Sequence, residues 1–291
     1  MSSSFGARFT AALAERGQLC VGIDPHGSLL RAWGYDDDLA GLEKFALGAV
    51  EAVAPLCSVV KPQSAFYERF GSAGIAVLER VVAESRAAGA LVLLDVKRGD
   101  IGSTSQAYAD AYLDPTSPLA VDAITVSPYL GFGSLTPFVD TARRHDAGLF
   151  VLAATSNKEG PEVQEAVTSE AFGARTVSAA MLQHLRELNA EATPLGSFGA
   201  VVGATLRDAS FLGSSGTEGG SGADLAINGP ILAPGYGEQG GTTSDLVRIF
   251  GSNARHVLAS SSRGVLRLGP DPLAMRDAVA RANDELRELL S

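Results

Sequence analysis

Residues 93–105 read Leu-Leu-Asp-Val-Lys-Arg-Gly-Asp-Ile-Gly-Ser-Thr-Ser. The apolar run at 91–94 has the character of a buried strand, and Asp95, Lys97 and Asp100 follow it directly, two acids bracketing a base. A lysine flanked by carboxylates stays an ammonium, because each nearby negative charge favours the protonated form. Such a crowd of charges at a strand end is a candidate catalytic array. The plainer readings are a structural ion pair, which an Asp–Lys pair commonly is, or solvated loop residues. Side chains alternate along a strand, so Asp95 and Lys97 face one side and Val96 the other. Asp100 lies three residues further on, in the following loop.

Other polar groups fall at comparable places. Asp24 ends an apolar run at 19–24, Lys61 lies near the end of one at 57–62, Thr155 and Ser156 end one at 149–155, and Arg263 follows one at 256–262. One such residue is more often a solvated loop residue than a catalyst. Several that converge on one mouth are harder to dismiss. Two segments suggest phosphate. The stretch 233–241 (Ala-Pro-Gly-Tyr-Gly-Glu-Gln-Gly-Gly) is rich in glycine, which lets backbone N–H groups approach an anion. The stretch 260–264 carries Arg263, whose planar fork suits phosphate oxygens.

Positioning these groups requires a scaffold that gathers strand ends. Strand-like runs occur at 19–24, 57–62, 91–97, 123–128, 149–155, 198–205, 224–234 (at least in part) and 256–262. Helical patterns lie between them, as at 41–55, 74–89, 134–148 and 172–191, and a last one runs over 271–290 with Asp271 as N-cap and Pro272 in the first turn. Strands alternating with helices indicate a parallel sheet. Eight of them close a (β/α)8 TIM barrel, whose active sites lie at the C-terminal strand ends and whose phosphate sites recur after strands seven and eight. An open doubly wound sheet lacks its fingerprint here, since no Gly-x-Gly-x-x-Gly follows the first strand. Residues 1–291 read as one barrel domain with N-terminal and C-terminal helices. The Gly/Ser-rich stretch 213–222 reads as a surface loop rather than a linker.

With 46% apolar and 19% charged residues, the 291-residue chain has material for a large core. A net charge of −10 argues against a nucleic-acid or membrane-surface binder, though a pocket can still be locally positive. Cys20 and Cys57 sit in or near strand-like runs and read as small buried thiols. No Cys/His zinc spacing appears, and the four scattered histidines mark no site. The N-terminus lacks a signal-peptide core and no run approaches a membrane span. The expected compartment is a reducing cytoplasm.

These motifs resemble those of the orotidine 5′-phosphate decarboxylase family, in particular its longer bacterial, mycobacterial-like group. The resemblance covers about residues 19 to 268 and rests on Asp95-Val-Lys97-Arg-Gly-Asp100 continued by Ile101 and Thr104, Gly-Ile-Asp-Pro at 22–25, Val-Lys-Pro-Gln at 60–63, the glycine-rich 234–241 and Ser-Ser-Arg-Gly at 261–264. It implies decarboxylation of orotidine 5′-phosphate to UMP, the last step of de novo pyrimidine nucleotide synthesis, with no metal and no organic cofactor. Lys97 would protonate C6 of the pyrimidine. Asp95 would sit beside the substrate carboxylate. Lys61 would complete the charged chain and, with Asp24, contact the ribose. Ser156 would contact the pyrimidine, and Gln239 and Arg263 would hold the 5′-phosphate. Asp100, Ile101 and Thr104 would reach the partner's site in a homodimer with shared active sites. The segments at 25–41 and 206–226 depart from compact family members. Two alternatives stand beside this reading. One is a magnesium-dependent sugar-phosphate decarboxylase or aldolase of the same superfamily. The other is a non-catalytic barrel that binds a phosphate ligand.

Overall fold

The computed structural model describes residues 3–206, 212 and 225–287. Strands β1 (Leu19–Ile23), β2 (Val59–Pro62), β3 (Leu91–Arg98), β4 (Ala123–Val126), β5 (Gly148–Ala154), β6 (Phe198–Val202), β7 (Ile231–Pro234) and β8 (Val257–Ser261) pair in chain order, each parallel to the next. Leu19 lies opposite Ala259 and Val21 opposite Ser261, so β8 returns to β1 and closes the sheet. The fold is the expected (β/α)8 TIM barrel.

Alternation along each strand divides the core in two. Outward-facing Val21, Ile23, Val60, Val92, Leu94 and Val96 pack against the surrounding helices. Inward-facing Cys20, Val59, Leu93, Ala123, Phe150 and Leu258 fill the barrel interior. The bottom is plugged by the N-terminal helix (Phe5–Arg16), which contributes Phe5, Phe9 and Leu13 to that inner cluster. Ser4 caps this helix by accepting the Ala7 N–H at 3.3 Å. Its Arg8 pairs with buried Asp122, which also pairs with Arg86 at 3.3 Å and accepts the Val92 N–H at 3.0 Å. Three donors thus satisfy one buried carboxylate, as burial requires.

The expected strands are all present, several of them shorter. The run at 224–234 becomes strand only from Ile231, because Asn228 takes φ 49° and Pro230 offers no N–H to a ladder. The run at 198–205 leaves the sheet after Val202. The C-terminal helix begins as expected, with Asp271 accepting the N–H groups of Leu273 and Ala274 at 2.9 and 3.3 Å and Pro272 in the first turn. The Gly/Ser-rich stretch at 213–222 lies outside the described residues. Among the described residues no helix is long and apolar enough to cross a membrane.

Candidate active site

Two residues up from the apolar layer the inward side chains change character. Val59 is followed by Lys61, Leu93 by Asp95, Ala123 by Thr125 and Leu258 by Ser260. The same alternation that fills the core therefore builds a polar floor at the C-terminal mouth. It lines a cavity of about 490 Å³ that also takes in Asp24, Lys97, Ser156 and Gln239. A smaller adjoining cavity, about 270 Å³, is lined by Asp24, Gln239, Ser262, Arg263 and the glycine-rich loop.

Asp95 is the hub. Lys61 Nζ donates to its Oδ2 at 3.0 Å, Lys97 Nζ to its Oδ1 at 2.7 Å, and Thr125 Oγ1 to the same Oδ1 at 2.7 Å. Burial pushes the Asp95 carboxyl up. The charges of Lys61 and Lys97 and the hydrogen bonds from Lys97 and Thr125 outweigh it, and hold the group well below the usual carboxylate range. For Lys61, burial pulls downward, and the charges of Asp95 and Asp24 more than reverse it. Both groups are ionised at neutral pH. Cys20, beneath them, goes the other way: burial raises its thiol to about 12, so it is a neutral core residue as expected.

The two lysines differ in access. The Lys61 side chain is 8% exposed and is committed to Asp95, whereas that of Lys97 is 47% exposed and its ammonium is open to a ligand. The backbone at Lys97 is unusual too. Its φ is +45°, a left-handed conformation that costs a non-glycine residue on the order of 1–3 kcal/mol and persists where surrounding structure imposes it. It coincides with a break in the ladder: β3 advances four residues, from Leu94 to Arg98, while β4 advances two, from Ile124 to Val126. Bulges of this kind re-aim side chains beside active sites.

The other expected residues separate into two sets. Asp24 lines both cavities, and its Oδ1 is buried with no hydrogen-bond partner among the described residues. It offers an acceptor to a ligand hydroxyl. Ser156 and Gln239 line the main cavity and Arg263 the adjoining one, where no carboxylate among the described residues pairs with it. The loop after β7 needs its glycines: Gly235, Gly237 and Gly240 have φ of 101°, 77° and 93°, which fold it back so that the Gly241 N–H donates to the Gly235 carbonyl at 3.0 Å. Asp100, Ile101 and Thr104 lie outside the chain's own cavity. Asp100 Oδ1 accepts the Ile101 N–H at 2.8 Å, Ile101 is 62% exposed, and Thr104 is exposed. Among the described residues no group of three or more His, Cys, Asp or Glu side chains could hold a metal ion.

Residues 17–277 match the family described as Orotidine 5'-phosphate decarboxylase / HUMPS. The chain belongs to the orotidine 5′-phosphate decarboxylase / HUMPS family. It is 70% identical over 283 residues to the orotidine 5′-phosphate decarboxylase of a Nocardioides species, covering 97% of this chain and 98% of that one. To the orotidine 5′-phosphate decarboxylase of Streptomyces coelicolor it is 59% identical over 283 residues, covering 97% of each. A crystal structure of a candidate orotidine 5′-phosphate decarboxylase from Streptomyces avermitilis superposes with a TM-score of 0.92 at 57% identity, over 100% of this chain and 97% of that one. The Leishmania donovani OMP decarboxylase superposes at 0.75 with 29% identity, over 99% of both. These relatives match 97–100% of this orotidine 5′-phosphate decarboxylase / HUMPS family member.

Sequence reasoning missed Thr125, His26 and Ser262, all of which line the cavities. The signal for Thr125 was present, since it is the polar residue two beyond inward-facing Ala123. His26 was passed over as one of several scattered histidines. It packs edge-on against Phe66 with ring centroids 4.3 Å apart.

Proposed function

We propose that this protein decarboxylates orotidine 5′-phosphate to UMP, the last step of de novo pyrimidine nucleotide synthesis, and that Lys97 protonates C6 directly. The observation that carries the reading is the half-exposed Lys97 ammonium, held 2.7 Å from an ionised Asp95 that is itself locked by buried Lys61. Breaking the bond from C6 to the carboxylate releases CO₂ and leaves the electron pair on C6. The Lys97 ammonium stabilises that charge, gives C6 a proton and is reprotonated from water. Such reactions need barrier reductions on the order of 20 kcal/mol. Asp95 beside a substrate carboxylate would repel it by roughly 4 kcal/mol at about 4 Å and an effective dielectric near 20. That is too little, so most of the effect comes from cations positioned in advance for the anionic transition state. Asp24 accepts from the ribose, Ser156 contacts the pyrimidine, and Gln239 and Arg263 take the 5′-phosphate, whose binding energy helps close the site.

The working form in this reading is a homodimer with two-fold symmetry, in which Asp100, Ile101 and Thr104 reach the partner's cavity. Supporting it, Ile101, Tyr129 and Leu130 are 62%, 78% and 54% exposed in a single chain, a high exposure for large apolar residues. The reaction belongs to the cytoplasm. Incubating the protein with orotidine 5′-phosphate tests the proposal: the substrate's ultraviolet absorbance falls, UMP appears one for one, and EDTA leaves the rate unchanged. Activity lost to EDTA, on a sugar phosphate instead, would favour the magnesium-dependent alternative. Tight nucleotide binding without turnover would favour a binding protein.

A further inference from the structure

We infer that Thr125 is the positioning residue that fixes the relative placement of Asp95 and Lys97, acting through both side chain and backbone. The inference rests on the decarboxylase reading above. Thr125 Oγ1 donates to Asp95 Oδ1 at 2.7 Å and accepts the Lys97 backbone N–H at 3.0 Å. One hydroxyl thereby fills both of its roles, and its two partners are the two residues whose geometry the chemistry depends on.

The need for this clamp follows from the bulge. Where β3 runs four residues against two of β4, the ladder register is broken around Lys97, and its N–H donates to the Thr125 side chain. A backbone donor left unpaired near a buried site is costly. The left-handed backbone at Lys97, φ +45°, also needs something to hold it. Thr125 is 1% exposed and its β-branched side chain has few alternative rotamers, so its hydroxyl is a rigid reference point. On the other side of Lys97 the chain is held by Arg98, which donates to Glu68 at 2.6 Å. Asp95 is fixed at its second oxygen by Lys61. Without Thr125, Oδ1 of Asp95 would be held, among the described residues, only by the half-exposed Lys97 ammonium, and that ammonium must leave it during each turnover.

The test compares Thr125→Val, which keeps the branched shape and removes donor and acceptor together, with Thr125→Ser, which keeps the hydroxyl. With orotidine 5′-phosphate, kcat of Thr125→Val should fall by about ten- to a hundredfold, the worth of a hydrogen bond to a charged group. Thr125→Ser should stay within about threefold of wild type by the same reasoning, because both bonds can form. UMP, which lacks the C6 carboxylate, should bind both variants within about threefold of wild type, since the clamp acts on the reacting end. A merely structural role would weaken UMP binding in step with kcat. If Thr125→Val does not melt cooperatively, Thr125→Ala takes its place, with the same loss expected. The inference is overturned if the valine or alanine variant turns over as fast as the serine variant, if serine loses as much as valine, or if UMP affinity and kcat fall together. A wild-type protein inert toward orotidine 5′-phosphate overturns the decarboxylase reading and this inference with it. An active wild type with an unimpaired valine variant overturns this inference alone.

Discussion

Asp95 takes two ammonium groups and a hydroxyl on one buried carboxylate. Its depressed pKa carries a consequence for stability. The native group stays ionised at pH values where the unfolded one, near 3.9, takes up a proton. Its stabilising contribution is therefore complete above about pH 4 and declines as pH falls toward the native value. Asp95→Asn takes from the buried Lys61 ammonium its hydrogen-bonded carboxylate and leaves only the Asp24 charge to compensate it, which should cost up to about 3–5 kcal/mol at pH 7. Urea unfolding of both proteins between pH 7 and pH 3 should show that gap narrowing below about pH 4. A constant or widening gap would contradict the stabilised carboxylate. Asp95, Lys97 and Lys61 were legible in the sequence because charge is rare at the end of an apolar strand. The alternation that places Thr125 on the inner face was also there, but threonine is common in strands, and its importance depends on a contact with a residue 28 positions away.

At the scale of elements, the strands were legible because each apolar run is short, β-branched and bounded by turn residues. The helix Gly102–Leu113 was less so. Its sequence, Gly-Ser-Thr-Ser-Gln-Ala-Tyr-Ala-Asp-Ala-Tyr-Leu, has weak apolar periodicity, and it buries only Ser105, Ala109, Tyr112 and Leu113. In the proposed reading the turn after β8 grips the substrate phosphate. It carries Arg263 beside the glycine-rich loop after β7, two elements that are neighbours in the barrel. If phosphate binding energy helps close the site, Arg263→Ala should raise KM and also lower kcat for orotidine 5′-phosphate. The same change should leave the rate on orotidine, which lacks the phosphate, near that of wild type. An equal penalty on both substrates would mean that Arg263 does not act through the phosphate.

For the whole molecule, barrel closure brings strand ends from distant parts of the chain to one mouth, and the eightfold alternation made that readable in advance. The assembly is less readable, because one chain holds Asp100 against its own Ile101 N–H and away from its own cavity. If Asp100 serves the partner, Asp100→Ala and Lys97→Ala should rescue each other. A mixed dimer has one site with both residues intact and one with neither. Random exchange makes about half of the dimers mixed, so activity should return to about a quarter of wild type. Each variant must be nearly inactive alone, and exchange must be confirmed by mass. Exchange without recovery would place Asp100 in its own chain's chemistry.

In the proposed reaction the Lys97 ammonium delivers the proton to C6, within an array of charges that stabilises the anionic transition state. The most direct measurement is turnover of orotidine 5′-phosphate by wild type and Lys97→Ala, side by side with UMP affinity for both. Wild type should give one UMP and one CO₂ per substrate, Lys97→Ala should give no measurable product, and both should retain UMP binding. Turnover by Lys97→Ala within about tenfold of wild type, a barrier change of only about 1.4 kcal/mol, would contradict Lys97 as the proton donor.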